Sequence, residues 1–337
     1  MAAARDILDT PRSAAAAFFA ARGGPAEGFR RLARHWHPDV NRDPGAGEVF
    51  RHLVALRVAA EAAAGTRPAG TVRSFRGTDD RAFEMRHLRA RPFDAGEILV
   101  GRSSVAYVVS EDFADLAETA AAWRPRFADA AMRAEMERFL PAPATAVATT
   151  AGRVMGYRRT PDQILLGDLV GHLGGRLDPF HAAWLASGLM NLCCWLEWAG
   201  LSHGWIGPDT VLVSPTFHSV ALTGPFLFAA PLGTGLAALP ERTLSVVPRL
   251  GLPDAVAEGA TDRELARLTV REALGDPGGG RILSDGSVPQ AFALWLATPP
   301  AGDARRDYAG WETAREAAFG PRRFVELKVS SPDVYGA

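Results

Sequence analysis

Apolar residues recur at helical spacing near the start of the chain and predict a small helical domain. In the segment 25–36 they fall at positions i, i+3, i+4 and i+7, on Phe29, Leu32, Ala33 and Trp36. One face of this helix is therefore expected to be buried, and the opposite face, which is rich in arginine, to be exposed. Segments 13–24 and 47–65 also have helical composition, so we expect a neighbouring helix to return antiparallel and cover the apolar stripe.

Beyond about residue 81 the pattern changes to short runs of β-branched and aromatic residues. After residue 178 it is again mainly helical, and the nearly continuous apolar run 179–201 predicts a buried core helix. Strands followed by helices favour an α+β fold with a β-rich lobe and a helical lobe. A helix is predicted around Met132 to Met136, and strands are predicted over residues 97–100, 103–109, 153–159, 163–170, 210–215 and 219–224.

Composition and charge narrow the class of protein. The 337 residues are 47% hydrophobic and 22% charged, with a formal net charge of -1, so we expect a globular protein without a nucleic-acid partner. The only two cysteines are adjacent, Cys193 and Cys194, which predicts a reducing compartment and no disulfide framework. Asp6 and Asp9 interrupt the N-terminal segment, and polar residues interrupt the long apolar run. We therefore expect a cytoplasmic protein with no membrane partner.

The segment 29–41, FRRLARHWHPDVN, ends its predicted helix at a histidine–proline–aspartate triplet. Pro38 disfavours helical backbone angles at His37, so the helix should end there, and Asp39 suits the turn that follows. The next predicted helix carries Phe50 in its first turn. A basic helix, this triplet and a following helix that begins with phenylalanine make the segment similar to a J-domain.

The resemblance implies a partner for this part of the chain. In J-domains the triplet and the basic helix contact a 70-kDa heat-shock chaperone and stimulate its ATPase. The implied contact residues here are His37, Pro38 and Asp39, with Arg30, Arg31 and Arg34. The match departs at Leu56 and Arg57, where an Ala-Tyr pair is expected, and no fourth helix is evident. The alternative, a metal site at His35 and His37, lacks further ligands at suitable spacing, so we predict no metal and no cofactor.

Residues 200–226 resemble the catalytic loop and the metal-binding segment of protein kinases. Aligned with the loop pattern His-Arg-Asp-Ile-Lys-Pro-Glu-Asn, the sequence HGWIGPDT has Trp205 at the catalytic aspartate and Thr210 at the metal-binding asparagine. Gly224 falls at the metal-binding aspartate that follows. The ATP lysine is expected at Val108, yet the only lysine in the chain is Lys328. The resemblance therefore implies a kinase-like domain that has lost phosphoryl transfer and is not an enzyme.

Three further residues match positions that brace the kinase fold. His203 matches the structural histidine of the loop, and Asp262 resembles the aspartate that begins a buried helix and holds the loop. Glu135 is the candidate for the glutamate on the helix of the small lobe. The predicted organisation is a J-like helical domain over residues 1–65, a linker over 66–80, a kinase-like small lobe over 81–172 and a large lobe over 173–337.

The two resemblances together predict a non-enzymatic co-chaperone or adaptor. Its J-like domain would recruit a 70-kDa heat-shock chaperone, and its kinase-like domain would bind an unidentified client or scaffold protein. Three alternatives stay open. The chain could be a structural or assembly protein, for example of a phage or mobile element, in which both modules only pack. It could instead be an atypical nucleotide-binding, kinase-like enzyme, or a regulatory pseudokinase whose J-like segment caps the fold.

Overall fold

The computed structural model describes residues 3–37, 41–63, 70–140, 143–251 and 256–336. It confirms the α+β class that the sequence predicts. The chain divides into two compact units: Met1–Ala69 with Pro321–Lys328, and Gly70–Gly320 with Val329–Ala337. Among the described helices, none has both the length and the apolar character that crossing a membrane requires.

The first unit is helical, and its central pair of helices forms as the apolar pattern predicts. The four residues of the stripe are all buried, and they pack against the equally buried Phe50, Leu53 and Leu56 of the following helix. The helices of this unit are α1 (Ala4–Leu8), α2 (Ala15–Ala20), α3 (Pro25–Trp36) and α4 (Ala46–Ala63), with a 3-10 turn at Arg12–Ala14.

Local sequence sets both ends of α3. Pro25 occupies its first turn, where a missing N–H costs no hydrogen bond, and Gly24 before it has a φ of 96°. The helix ends at Trp36 because His37 has extended backbone angles, φ -64° and ψ 130°, as expected for a residue before proline.

The second unit opens with a hairpin, which shows that the predicted linker over 66–80 is wrong for its described part. Strand β1 (Thr71–Arg76) pairs antiparallel with β2 (Ala82–His87). Phe75 and Phe83 stack within the hairpin, with ring centroids 5.2 Å apart, and pack against one face of the main sheet. Gly, Pro and Thr in this segment suggested a linker, but alternate residues of β1 are partly buried, as in a strand.

The main sheet of the second unit has five antiparallel strands in the order β3-β4-β5-β7-β6. Helix α5 (Ala114–Ala122) and helix α6 (Ala130–Met136) connect β5 to β6, and α5 contributes Ala117 and Ala120 to the core beneath the sheet. The strands are β3 (Arg89–Phe93), β4 (Gly96–Val100), β5 (Ser104–Val109), β6 (Pro143–Thr149) and β7 (Gly152–Arg158), and a 3-10 turn covers Glu111–Phe113.

The rest of the second unit is mainly helical. The long apolar run forms α8 as predicted, and Asp178 caps it by accepting the N–H of Phe180 at 2.9 Å. The strand predicted over 163–170 is wrong for most of its length, because only Ile164–Leu165 is strand and Leu166–His172 is helix. The short strands are β8 (Ile164–Leu165), β9 (Leu201–Ser202), β10 (Val211–Ser214), β11 (Ser219–Leu222) and β12 (Ala230–Pro231). The helices are α7 (Leu166–His172), α8 (Pro179–Trp198), α9 (Glu241–Leu244), α10 (Val247–Leu250), α11 (Gly259–Ala273), α12 (Gly280–Ser284), α13 (Gln290–Ala297), α14 (Ala304–Phe319) and α15 (Ser331–Tyr335).

One part of the predicted large lobe over 173–337 belongs elsewhere. The segment Pro321–Lys328 packs as part of the helical unit, and the chain then returns to the second unit at Val329. This assignment rests on contacts between residues almost 300 positions apart in sequence, such as Arg34 with Glu326. No local pattern signals a contact of that range.

Candidate functional site

The basic face of α3 is exposed, as its helical spacing predicts. The arginines at positions 30, 31 and 34 all lie on the solvent side of the helix. A guanidinium nitrogen of Arg34 lies 2.6 Å from a carboxylate oxygen of Glu326, although 68% of the Arg34 side chain stays exposed. The exposed face of α3 therefore presents three arginine side chains to solvent, and Arg34 is ion-paired with Glu326 inside the unit.

His37 lies in a different environment from these arginines. Its side chain is only 2% exposed, and its ring lies 4.9 Å from the Phe50 ring and 4.8 Å from the Phe324 ring, measured between centroids. The other two members of the predicted triplet, Pro38 and Asp39, lie outside the described residues. The sequence indicates a docking histidine, and the structure places that histidine beneath an aromatic ring of the C-terminal segment.

The alternative metal reading gains no support from the geometry around these histidines. His35 is exposed, with its ring 5.1 Å from that of Trp36, whereas His37 is buried between aromatic rings. No group of three histidine, cysteine, aspartate or glutamate side chains that could hold a metal ion is found within the described ranges.

In the second unit, Asp262 lies near the start of α11 and holds the loop that resembles a kinase catalytic loop. It is 1% exposed, and its two carboxylate oxygens accept the backbone N–H groups of His203 at 2.8 Å and Gly204 at 2.9 Å. Burial raises the pKa of Asp262 to about 6, and these hydrogen bonds work in the opposite direction. The carboxylate therefore ties the loop to the core helix, which is the brace that the sequence predicts.

His203 is completely buried in the same loop. Its Nδ1 accepts the backbone N–H of Trp205 at 3.2 Å, and its ring lies edge-on to the Phe226 ring at 4.7 Å. Burial lowers the pKa of His203 to about 3, and a backbone interaction with Gly224 offsets part of that shift. The imidazole is therefore neutral at physiological pH and serves as packing.

Several aromatic rings pack against one another beside this loop. Trp205 stacks on Phe93, with centroids 4.9 Å apart, and it meets the rings of Tyr107 and Phe228 edge-on at 5.9 and 5.5 Å. The Tyr107 hydroxyl donates to the backbone carbonyl of Asp209 at 2.8 Å and lies 3.1 Å from the Thr223 hydroxyl. Trp205, which the resemblance aligns with the catalytic aspartate of kinases, is thus a buried residue of an aromatic cluster.

Val108, which the resemblance assigns to the position of the ATP lysine, does not face the loop. Val108 packs on the face of β5 that the β1–β2 hairpin covers, whereas Tyr107 points from the opposite face towards the loop. Successive side chains of a strand alternate between faces, so a shift of one residue reverses the assignment. Sequence reasoning missed Tyr107, although the alternation of Val105, Tyr107 and Val109 on one face could have indicated it.

The two residues that the resemblance aligns with metal-binding positions, Thr210 and Gly224, are closely packed. A Cβ atom added to Gly224 would lie 2.7 Å from Cγ2 of Thr210, which is closer than real Cβ contacts. Thr210 is fixed in turn, because its hydroxyl donates to the carbonyl of Trp205 at 2.8 Å and accepts the N–H of Gly207 at 2.9 Å. Thr210 and Gly224 are thus in contact, but they form a packed joint without a carboxylate.

The loop positions that carry arginine and lysine in kinases are also filled differently. Gly204 has a φ of 68°, and a Cβ there would lie 2.9 Å from the carbonyl oxygen of Phe228, so the backbone requires glycine. At Gly207 the guanidinium of Arg242 occupies the space, with its Nε 2.7 Å from the position of a Cβ. Arg242 also pairs with Glu272 at 2.6 Å and donates to the carbonyl of Ile206 at 2.8 Å.

Glu135 does not act as the predicted brace. It is exposed on α6, and it forms no ion pair within the described residues. The helix that packs beneath the sheet is α5, which precedes α6 in the chain.

A pocket of about 460 Å³ lies beside the loop, between the β3–β4 turn and α11. Acidic groups predominate in its lining, which includes Asp94, Asp209, Glu241 and Glu272 beside Arg242. Burial raises the pKa of Asp209, and Arg91, whose guanidinium lies 3.1 Å from this carboxylate, partly offsets the effect. Two of these carboxylates are paired with arginines, Glu272 with Arg242 and Asp209 with Arg91.

Comparison of the sequence with known protein families finds no match, and comparison with curated proteins finds no significantly similar one.

Proposed function

We propose that this protein is a non-enzymatic, J-domain-like co-chaperone or adaptor for a 70-kDa heat-shock chaperone. The observation that carries the proposal is the geometry of α3. It is a basic helix with Arg30, Arg31 and Arg34 exposed, it ends at His37, and its apolar stripe packs on α4. Exposed arginines would steer an acidic face of the chaperone towards this helix.

We infer that the second unit is a kinase-like scaffold. In kinases the lysine lies on the third strand and its glutamate partner on the helix that follows. In this unit β5 is the third strand of the main sheet in chain order, and α5 and α6 follow it before β6. The hydrogen bonds that the N–H groups of His203 and Gly204 donate to Asp262 support the same interpretation.

Packing at the aligned catalytic positions favours a scaffold over an enzyme. Trp205 packs against Phe93 and Tyr107 beside the loop, and Thr210 leaves no room for a side chain at Gly224. A thermal shift assay with Mg-ATP tests this part of the proposal. We expect no shift, because no group of this cluster can hold a metal-bound phosphate, and a saturable rise in melting temperature would contradict it.

The co-chaperone proposal is tested by measuring ATPase stimulation of a purified 70-kDa chaperone. The wild-type chain is expected to stimulate hydrolysis, and His37→Gln to lose the stimulation. Because His37 is buried, a second variant, Arg31→Glu, reverses a charge at an exposed position. Arg51→Glu, at an exposed position of α4, is the matched control and should stimulate normally. Equal or absent stimulation by the wild type, His37→Gln and Arg31→Glu would refute the proposal.

One observation favours a second candidate, in which both modules are structural packing units. The burial of His37 between Phe50 and Phe324 suits a residue that holds the unit together. This candidate predicts that His37→Gln lowers the melting temperature, while Arg31→Glu has no effect in any functional assay.

A further inference from the structure

We propose that the segment Pro321–Lys328 is a built-in cover of the chaperone-docking surface, which a partner must displace before it can dock. The inference rests on the proposed function, because it concerns regulation of the same site. It assigns to this C-terminal segment a role as an intramolecular competitor for the end of α3.

Two contacts place the segment on the docking residues. The Phe324 ring lies 4.8 Å from the His37 ring, on which Phe50 also packs at 4.9 Å, and the histidine side chain is left 2% exposed. One turn earlier on α3, Glu326 pairs with Arg34 at 2.6 Å. The segment thus occupies both the aromatic and the electrostatic contacts that a partner would use.

The segment Pro321–Lys328 covers only part of the basic face, and the contacts that hold it there are weak enough for a partner to displace. Arg30 and Arg31 are exposed on the same basic face, so an acidic partner can approach the helix there before the segment is displaced. The segment has no regular secondary structure, and its ion pair with Arg34 is partly exposed to solvent, which screens the attraction. A partner that contributes its own carboxylate can therefore replace Glu326.

The charges suit this exchange. Glu326 is an acidic residue on a basic helix, and an acidic chaperone face would make the same kind of pair with Arg34. A competitor of this kind lowers the apparent affinity of the partner by the fraction of molecules in which the surface is open. Loss of the cover should accordingly lower the concentration needed for half-maximal stimulation by on the order of tenfold.

The test uses the full chain and reads the cover directly. Diethylpyrocarbonate modifies accessible histidines, and His35, exposed two residues before His37, is an internal reference. In the wild type we expect modification of His35 with protection of His37. Glu326→Arg breaks the ion pair without deleting a buried side chain, so His37 modification should rise several-fold while His35 stays constant. The charge swap Arg34→Glu with Glu326→Arg restores the pair and should restore the protection.

The second readout is chaperone ATPase stimulation by Glu326→Arg and by Phe324→Ala. Both variants should reach half-maximal stimulation at roughly one tenth of the concentration that the wild type needs. Lys328→Gln, an exposed position of the same segment, is the control and should match the wild type.

Two results would overturn the inference in distinguishable ways. If the wild type stimulates the chaperone, but both variants keep His37 protected or keep the wild-type half-maximal concentration, the cover fails and the co-chaperone function stands. If His37 becomes reactive in Glu326→Arg but no variant stimulates the chaperone, the proposed function fails, and the competition fails with it.

Discussion

The contact between Gly224 and Thr210 gives the sharpest prediction about the second unit. Gly224→Ala adds a Cβ that would lie 2.7 Å from Cγ2 and 3.0 Å from Cβ of Thr210. The threonine is completely buried, and two hydrogen bonds of its hydroxyl hold its rotamer, so it cannot turn away. One extra methyl group should therefore strain the joint between the loop and the strand that follows it.

The expected loss of stability follows from how little the packing around Thr210 and Gly224 can adjust. Overpacking of a well-packed site costs about 1–3 kcal/mol, so Gly224→Ala should lower the free energy of unfolding by that amount. Thr210→Ser removes Cγ2 but keeps the hydroxyl, and loss of a buried methyl costs about 0.5–1.5 kcal/mol. In the double variant the new methyl occupies the vacated space. The double variant should then be less destabilised than the sum of the two single variants by about 1–2 kcal/mol.

Urea denaturation of the four proteins in this double-mutant cycle measures the coupling. Gly171→Ala is the matched control, because Gly171 lies in α7 with no atom within 4 Å of an added Cβ. That control should gain about 0.5–1 kcal/mol from helix propensity. Additive costs within error, or a neutral Gly224→Ala, would refute the claim that the threonine methyl closes this position.

Three further predictions concern buried ionisable side chains of the second unit. Asp262→Ala leaves two buried N–H groups without acceptors and should cost about 2–5 kcal/mol in urea denaturation, whereas the exposed control Asp112→Asn should change stability by less than about 0.5 kcal/mol. Burial lowers the pKa of His203 to about 3. Below about pH 6.5 this imidazole therefore binds a proton in the unfolded chain but stays neutral in the folded chain. The stability from this group is present above pH 6.5 and should fall by about 2 kcal/mol between pH 6.5 and 5, a slope that denaturation of His203→Phe should lack. Arg267 pairs with the buried Asp307 at 2.9 and 2.5 Å, so Arg267→Met should cost about 3–5 kcal/mol, and a thermal melt that matches the wild type would contradict this ion pair.

The sequence alone determined the features that depend on a few neighbouring residues. The bounds of α3 follow from Pro25 at its start and from the proline after His37 at its end. Its buried and exposed faces follow from helical spacing. One longer-range contact came from the resemblance to kinases and not from local spacing, because Asp262 accepts the N–H groups of His203 and Gly204, 59 and 58 residues away.

Only the tertiary structure decided which segments meet. The sequence assigned Pro321–Lys328 to the large lobe, whereas contacts with Arg34 and His37 place it in the helical unit. The resemblance to kinases put the position of the ATP lysine at Val108, whereas the register of β5 turns Tyr107, and not Val108, towards the loop. Spacing and capping act within one or two turns of chain and can be read locally. Strand register and long-range pairing depend instead on which partner surface removes the most apolar area from water, and that is settled by the whole fold.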